Sequence, residues 1–387
     1  MPLRRIYLQY CSMFFVTQCY GGIIMTSKER LLAALDGRPL DRLPVTTHHI
    51  LDYFSDTYMG GRHYLEFFKE MKMDPIFWVD DWRNFPQPDT WRIEREELPD
   101  PRYFTERLYI HTPKKTLTMV LQSNQYTTWV SEKLLKDKND LDVIAAYMPA
   151  PIADKELVKK AAAEHPDCLI RGTIACLPPL GQPGCWQDLA MLYDIQDLIM
   201  ETFEDPEWVH EGLQMIMEKK LQYVDSLEGC PYDLLELGGG HASTSVISPG
   251  MFDEYVAPYD SKIIARAHEK GQRIVYHTCG RMMPLLERIA DMGTDAMETF
   301  TPVGMGGDAD LAEARRRLGD RVCMIGGFDQ GHHFVNCTEE ETRKNVRRCF
   351  EEAGAGGRFI LSPSDHFFDA DPALIKAFAD EARKCVY

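Results

Sequence analysis

The chain has 387 residues, 44% of them hydrophobic, and a formal net charge of -17. That length can bury a large core, as one big domain or two smaller ones. The acidic balance argues against nucleic acid and anionic membrane as partners. Eleven cysteines without paired spacing argue against a secreted disulfide framework and for a reducing cytoplasm.

Residues 1–24 come first. Arg4 and Arg5 precede an apolar, Cys- and aromatic-rich stretch from Ile6 to Ile24. It lacks the clean apolar core and small-residue cleavage site of a secretory signal. Gln9, Ser12, Thr17 and Gln18 interrupt it too often for a membrane span. Ordered structure is expected from Met25, with residues 1–24 a loose extension or a stretch upstream of the natural start. Thr26 then offers an N-cap, Glu29 completes a capping box, and Gly37 can end the helix.

Asp41 to His49 reads as a strand entering the core and Met73 to Asp81 as a second, with helical sequence between. Residues 90–135 differ. The runs Trp91–Glu96, Leu117–Leu121 and Tyr126–Val130 largely alternate apolar and polar residues, the pattern of an antiparallel meander. Leu141 to Tyr147 and Asp154 to Glu164 return to helical spacing. From residue 168, six strand-like runs follow: Cys168–Gly172, Asp233–Leu237, Arg273–His277, Asp295–Thr299, Val322–Gly326 and Arg358–Ser362. Helical segments such as Gly250–Lys270, Met282–Met292 and Asp310–Leu318 separate them. With the two early strands this makes eight, the number of a (β/α)8 TIM barrel. The expected architecture is one such barrel over residues 25–387, with an antiparallel β insertion at about 90–135. The alternative, a doubly wound open sheet, lacks a G-x-G-x-x-G after the first strand.

Chemistry in such a barrel sits at the C-terminal ends of the strands. The polar residues there are His48, His49, Asp80, Asp81, Cys176, Glu236, His241, His277, Cys279, Glu298, Asp329, Asp365 and His366. Side chains alternate along a strand, so His277 and Cys279 share one face. An imidazole beside a thiol suits zinc. A structural alternative stands beside this: a satisfied core histidine next to a small apolar cysteine. Asp329, before Gln-Gly, can simply shape a turn. Trp78, Trp82, Phe85 and Trp91 either line an aromatic pocket or pack into the core.

Several segments jointly resemble the uroporphyrinogen decarboxylase superfamily, which includes cobamide-dependent methyltransferases. They are Met25–Gly37 with Asp41–Val45, Ile247–Tyr259, His277-Thr-Cys-Gly and Leu318–Asp329. The resemblance runs from Met25 to the C-terminus and implies a (β/α)8 barrel. The family's decarboxylases carry an early Arg-Gln-Ala-Gly-Arg-type loop for substrate carboxylates. The matching stretch here, Val45 to Asp52, has no arginine, although a polycarboxylate needs bidentate cationic partners. The methyltransferase branch binds zinc through His-x-Cys and a later cysteine near the final strand. His277 and Cys279 match the first part. In place of the later cysteine stands Leu361-Ser-Pro-Ser-Asp365-His366. The third ligand is therefore expected from Asp365 or His366, with Glu236 the next candidate.

A zinc ion with fewer thiolates is more electrophilic and better polarises an ether oxygen. The resemblance thus implies a zinc-dependent methyltransferase that takes methyl from a small, O-methylated substrate. The acceptor would be the cobalt of a corrinoid (cobalamin) carried by a partner protein, since the chain has no Asp-x-His-x-x-Gly corrinoid pattern of its own. Glu236 or Glu298 would serve as acid to the leaving oxygen, with His48, His49, Asp80 and His241 around the substrate. The alternatives are methyl transfer from a corrinoid protein to a thiol, a cofactor-free tetrapyrrole decarboxylase, and a non-catalytic ligand-binding barrel.

Overall fold

The computed structural model describes residues 24–81, 85–174 and 181–387. The early segment 1–23, together with Trp82 and Cys176, lies outside the described residues. Seven parallel strands form one curled sheet: β1 (Ile76–Trp78), β6 (Leu169–Thr173), β7 (Leu234–Gly238), β8 (Ile274–His277), β9 (Ala296–Thr299), β10 (Cys323–Phe328) and β11 (Phe359–Pro363), adjacent in that order. Between β1 and β6 the chain builds a four-stranded antiparallel sheet of β2 (Arg92–Leu98), β3 (Phe104–His111), β4 (Thr116–Ser123) and β5 (Thr128–Glu132). The architecture is a TIM barrel with an antiparallel insertion.

The eighth stave is shorter than expected. The segment Asp41 to His49 pairs at a single residue, Val45, which bridges in parallel to Leu361 of β11. Proline 44 has no N–H to give a ladder, and the Val45 N–H is taken by the Asp74 carboxylate at 3.0 Å. The same stave still closes the ring, because Asp74 N–H donates to Val45 C=O at 2.7 Å. Thr46 N–H and Leu361 N–H hold the other edge.

Helix α1 (Ser27–Asp36) has the capping box foreseen for Thr26 and Glu29 and ends on Gly37 at φ 67°. It plugs the barrel's N-terminal end. Its Leu31, Ala34 and Leu35 pack with Ile76, Leu169, Leu234, Val275, Ala296, Ile325 and Ile360, the lower inward layer of the strands. Arg30 locks the plug through ion pairs to Asp41 and Asp74, and Arg42 adds a second cation to the fully buried Asp74. A larger apolar layer lies between the strands and the outer helices, and the inserted sheet joins it through Leu108, Ile110, Leu117, Met119 and Leu121.

The insertion also reaches the mouth. Tyr126, on the β4–β5 turn, meets Tyr53 of α2 (Asp52–Tyr58) at 4.6 Å between ring centroids and Phe368 at 5.0 Å. Tyr53 and Tyr58 both donate to Asp369. The first and last βα loops are thereby joined. Among the described residues no helix is long and apolar enough to cross a membrane.

Candidate active site at the barrel mouth

Strand parity builds the site. Two residues above the apolar plug layer, the same inward faces carry Trp78 on β1, Arg171 on β6, Glu236 on β7, His277 on β8 and Glu298 on β9. The register sets His277 level with Glu298. Arg171 is 1% exposed and its guanidinium reaches Glu236 Oε2 at 2.8 Å and also Glu298 Oε1. His48 Nε2 lies 3.0 Å from Glu236 and 3.3 Å from Glu298, and His277 Nδ1 lies 2.9 Å from Glu298. The Nδ1 atoms of His48 and His49 are 2.8 Å apart. Trp78 stacks on His49 at 4.1 Å, lies under the Arg171 guanidinium at 4.5 Å, and donates its Nε1–H to His48 C=O at 2.9 Å.

Burial alone would raise both glutamic acids, but their cationic neighbours win. The hydrogen bond and charge of His48, with His277 and Arg171 behind it, hold Glu236 at about 2. Arg171 and His48 hold Glu298 well below the usual carboxylate range. Conversely, burial would lower His48 and His277. The charge of Glu298 raises His48, and hydrogen bonds to Cys279 and Glu298 raise His277 well above its ordinary value. Burial and the His48 charge push His49 well down. The result is a dense lattice of opposed charges in which the carboxyl groups are ionised and His49 is neutral.

Among the described residues, two groupings of side chains bring ligand atoms within 4.8 Å of one another: His277, Cys279 and Asp365; and His48, Glu236, His277 and Glu298. The second already contains a cation, since the Arg171 guanidinium bridges both glutamates. The first offers nitrogen, sulfur and oxygen donors at the rim, a set that fits zinc with a position left open. Glu298 occupies His277 Nδ1, which leaves Nε2 as the donor and fixes the ring from behind. Cys279 is seated against Gly240: a Cβ there would lie 2.6 Å from Sγ, with only the Cys279 carbonyl, at 3.8 Å, otherwise within 4 Å. Gly240→Ala is accordingly expected to rotate the sulfur away while leaving the fold intact. Zinc affinity should fall on the order of 10–100-fold, the range for losing a group that orients a ligand, with an unchanged melting temperature. An unaltered affinity would show that the sulfur is not a ligand.

The other expected residues separate. His366 stands beside the cluster with its Nδ1 2.9 Å from Asp365 Oδ1. Asp80 follows β1, half-buried. Its neighbour Asp81 faces the helical layer, accepting from Tyr223 Oη–H at 2.7 Å and Asp154 N–H. His241 lies on the turn Gly240–Ala242, its N–H bound by Gln187 and its carbonyl by Trp186. Asp329 caps the turn Gln330–His333 through His332 N–H. Of the aromatic residues, Trp78 belongs to the site, whereas Trp91 is fully buried core and Phe85 packs against that core. Two residues escaped the sequence reading. Arg171 was visible as a charged residue inside an apolar strand, Cys168-Leu-Ile-Arg-Gly. Gln330 gave no signal, because its partners lie in the Ser364–His366 segment on the neighbouring βα loop.

A (β/α)8 barrel whose strands converge polar and ionisable side chains at the C-terminal mouth is the architecture of an enzyme. The chain belongs to the uroporphyrinogen decarboxylase (URO-D) family, whose sequence profile matches residues 182–385. It is similar to the uroporphyrinogen decarboxylase of Chlorobaculum tepidum, 26% identical over 187 residues, which are 46% of this chain and 49% of that one. The chain thus spans about half the length of that relative. The uroporphyrinogen decarboxylase of Chromohalobacter salexigens is 24% identical over 368 residues, 91% of this chain and 96% of that one. The methylcobamide:CoM methyltransferase MtaA of Methanosarcina barkeri is 21% identical over 172 residues, 44% and 47% of the two chains. A solved methyltransferase from Methanosarcina mazei shares the fold, with a TM-score of 0.62 at 15% identity over 93% of this chain and 99% of that one.

Proposed function

We propose that the protein is a zinc-dependent methyltransferase that moves a methyl group from a small methylated substrate, O-methylated by preference, to the cobalt of a corrinoid protein. The convergence of His277, Cys279 and Asp365 at the mouth carries the proposal. Zinc bound there would act as a Lewis acid toward the substrate oxygen. Likeness to a methylcobamide:CoM methyltransferase supports the transfer to or from a corrinoid.

The chain's own residues then have distinct tasks. Glu298 orients His277 through Nδ1. His48 keeps Glu236 ionised and Arg171 keeps Glu298 ionised, so neither is a ready acid at neutral pH. Glu236 or Glu298 would therefore have to take up a proton, with His48 Nε2 3.0 and 3.3 Å away, before serving as acid to a leaving oxygen. The Tyr53, Tyr126 and Phe368 rings narrow one side of the entrance and favour a small substrate.

The names and long coverage of some relatives favour a second reading, tetrapyrrole decarboxylation. Two facts weigh against it: Val45 to Asp52 offers no arginine, and Arg171 is already tied to two glutamates. The test supplies reduced cobalamin to the purified protein with methoxyarenes, methanol, methylamines or methyl thioethers. Spectral conversion of the cobalamin with an O-methyl compound is expected. Conversion of none of them, with carbon dioxide released from a porphyrinogen, would establish the decarboxylase instead. Reaction of thioethers or thiols alone would point to methyl transfer onto sulfur.

A further inference from the structure

We infer that His366 is not a metal ligand but the positioning residue that aims Asp365 at the His277–Cys279 pair, with Gln330 fixing the backbone beneath it; this rests on the zinc reading above.

The sequence leaves Asp365 and His366 as equal candidates. The geometry separates them. Asp365 has a ligand oxygen within 4.8 Å of both the His277 and Cys279 donors, and His366 is not in that group. Instead, both N–H groups of His366 converge on one oxygen of its neighbour. The backbone N–H donates to Asp365 Oδ1 at 2.8 Å and the ring Nδ1 lies 2.9 Å from the same atom. With Oδ1 occupied twice, Oδ2 is the oxygen left to coordinate. A carboxylate restrained through one oxygen presents the other in a fixed direction, which is how groups behind a metal ligand raise its affinity.

The main chain is pinned as firmly. Gln330 is 2% exposed. Its Nε2–H donates to Asp365 C=O at 3.0 Å, and its Oε1 accepts from Ser364 N–H and Ser364 Oγ–H, each at 3.0 Å. The amide therefore grips the chain at both ends of the Ser364–Asp365 pair, at the Ser364 N–H and the Asp365 carbonyl. Gln330 comes from the loop after β10 and Asp365 from the loop after β11, so two adjacent βα loops act together. The hydrogen bonds to His366 also hold the Asp365 carboxyl low, against the effect of burial.

His366→Ala, His366→Asn and Asp365→Asn test the assignment. The His366 side chain is 40% exposed, so its removal leaves the core untouched. An asparagine amide falls near the place of Nδ1 and can donate to the same oxygen. Zinc affinity is measured by chelator competition, and the absorption spectrum of the cobalt(II)-loaded protein reports ligand geometry. Neither readout uses methyl transfer. The expected result is an affinity loss on the order of 10–100-fold in His366→Ala, recovery of most of it in His366→Asn, and the largest loss in Asp365→Asn. Equal large losses in both His366 variants would make His366 a ligand and overturn the inference. No loss in His366→Ala would overturn it as well. If the unaltered protein binds no zinc, the inference falls together with the proposed function. If it binds zinc and His366→Ala behaves as expected, but no methyl group moves, only the proposed reaction falls.

Discussion

One zinc ion per chain is the expected outcome of metal analysis on the purified protein, and replacing His277 and Cys279 together by alanine should remove it. A catalytic zinc site typically has three protein ligands, so two losses leave Asp365 alone. The effect on activity should be complete, because an alkoxide or phenoxide is a poor leaving group without electrophilic help. Stripping zinc with a chelator should give the same loss, and adding zinc back should restore it. Full zinc content in the double variant would place the metal outside both ligand groupings at the mouth, since each contains His277.

Arg171→Met should destabilise the protein by about 3–5 kcal/mol, the cost of leaving buried charge without its partner. The guanidinium is 1% exposed and serves Glu236 and Glu298 at once. Removing it leaves two ionised carboxylates in the barrel with only the His48 and His277 imidazoles beside them. Neutralising them as well, in Arg171→Met with Glu236→Gln and Glu298→Gln, should recover a good part of the loss, since a buried ion pair often contributes little net stability over neutral groups. Urea unfolding compares the variants. A loss below about 1 kcal/mol for Arg171→Met would mean that water, rather than the arginine, compensates the glutamates.

Much of this fold was legible because its signals are local. The Thr26–Glu29 capping box and Gly37 stop are contained within α1 itself. The six later barrel strands are short apolar runs between helices, and each is almost wholly buried. Strand β3 was not marked, for a physical reason. Its buried positions are Thr105, Leu108 and Ile110, so the inward parity slips between the first and second, and a strict alternation is lost. Val45 reads as strand but carries its ladder at one residue, because Asp74, distant in sequence, takes its N–H.

The site divides the same way. His277, Cys279, Glu236 and Glu298 follow from strand parity once eight strands are assigned. Nothing in Leu361–His366 says which ligand points inward, since that depends on Gln330 of the neighbouring loop. Nor could sequence alone show that Arg171 neutralises the two glutamates. An ionised carboxyl and a proton donor are the same residue type until its neighbours are known.

The join between Tyr53 and Asp369 spans 316 residues of chain, and that has a kinetic consequence. At roughly 5–20 residues per second, the ribosome needs roughly 15–60 s to make the intervening chain. Throughout that interval the growing sheet has an unpaired edge, and the closing contacts at Val45 and Leu361 have no partner to meet. Such an edge invites association with other chains. The inserted sheet follows β1 directly, and its own strands pair locally, so it can fold early beside the exposed first strand. The mouth, by contrast, is a late product of synthesis: Asp365 and Gln330 emerge long after His48, and a metal held as proposed would enter a nearly finished barrel.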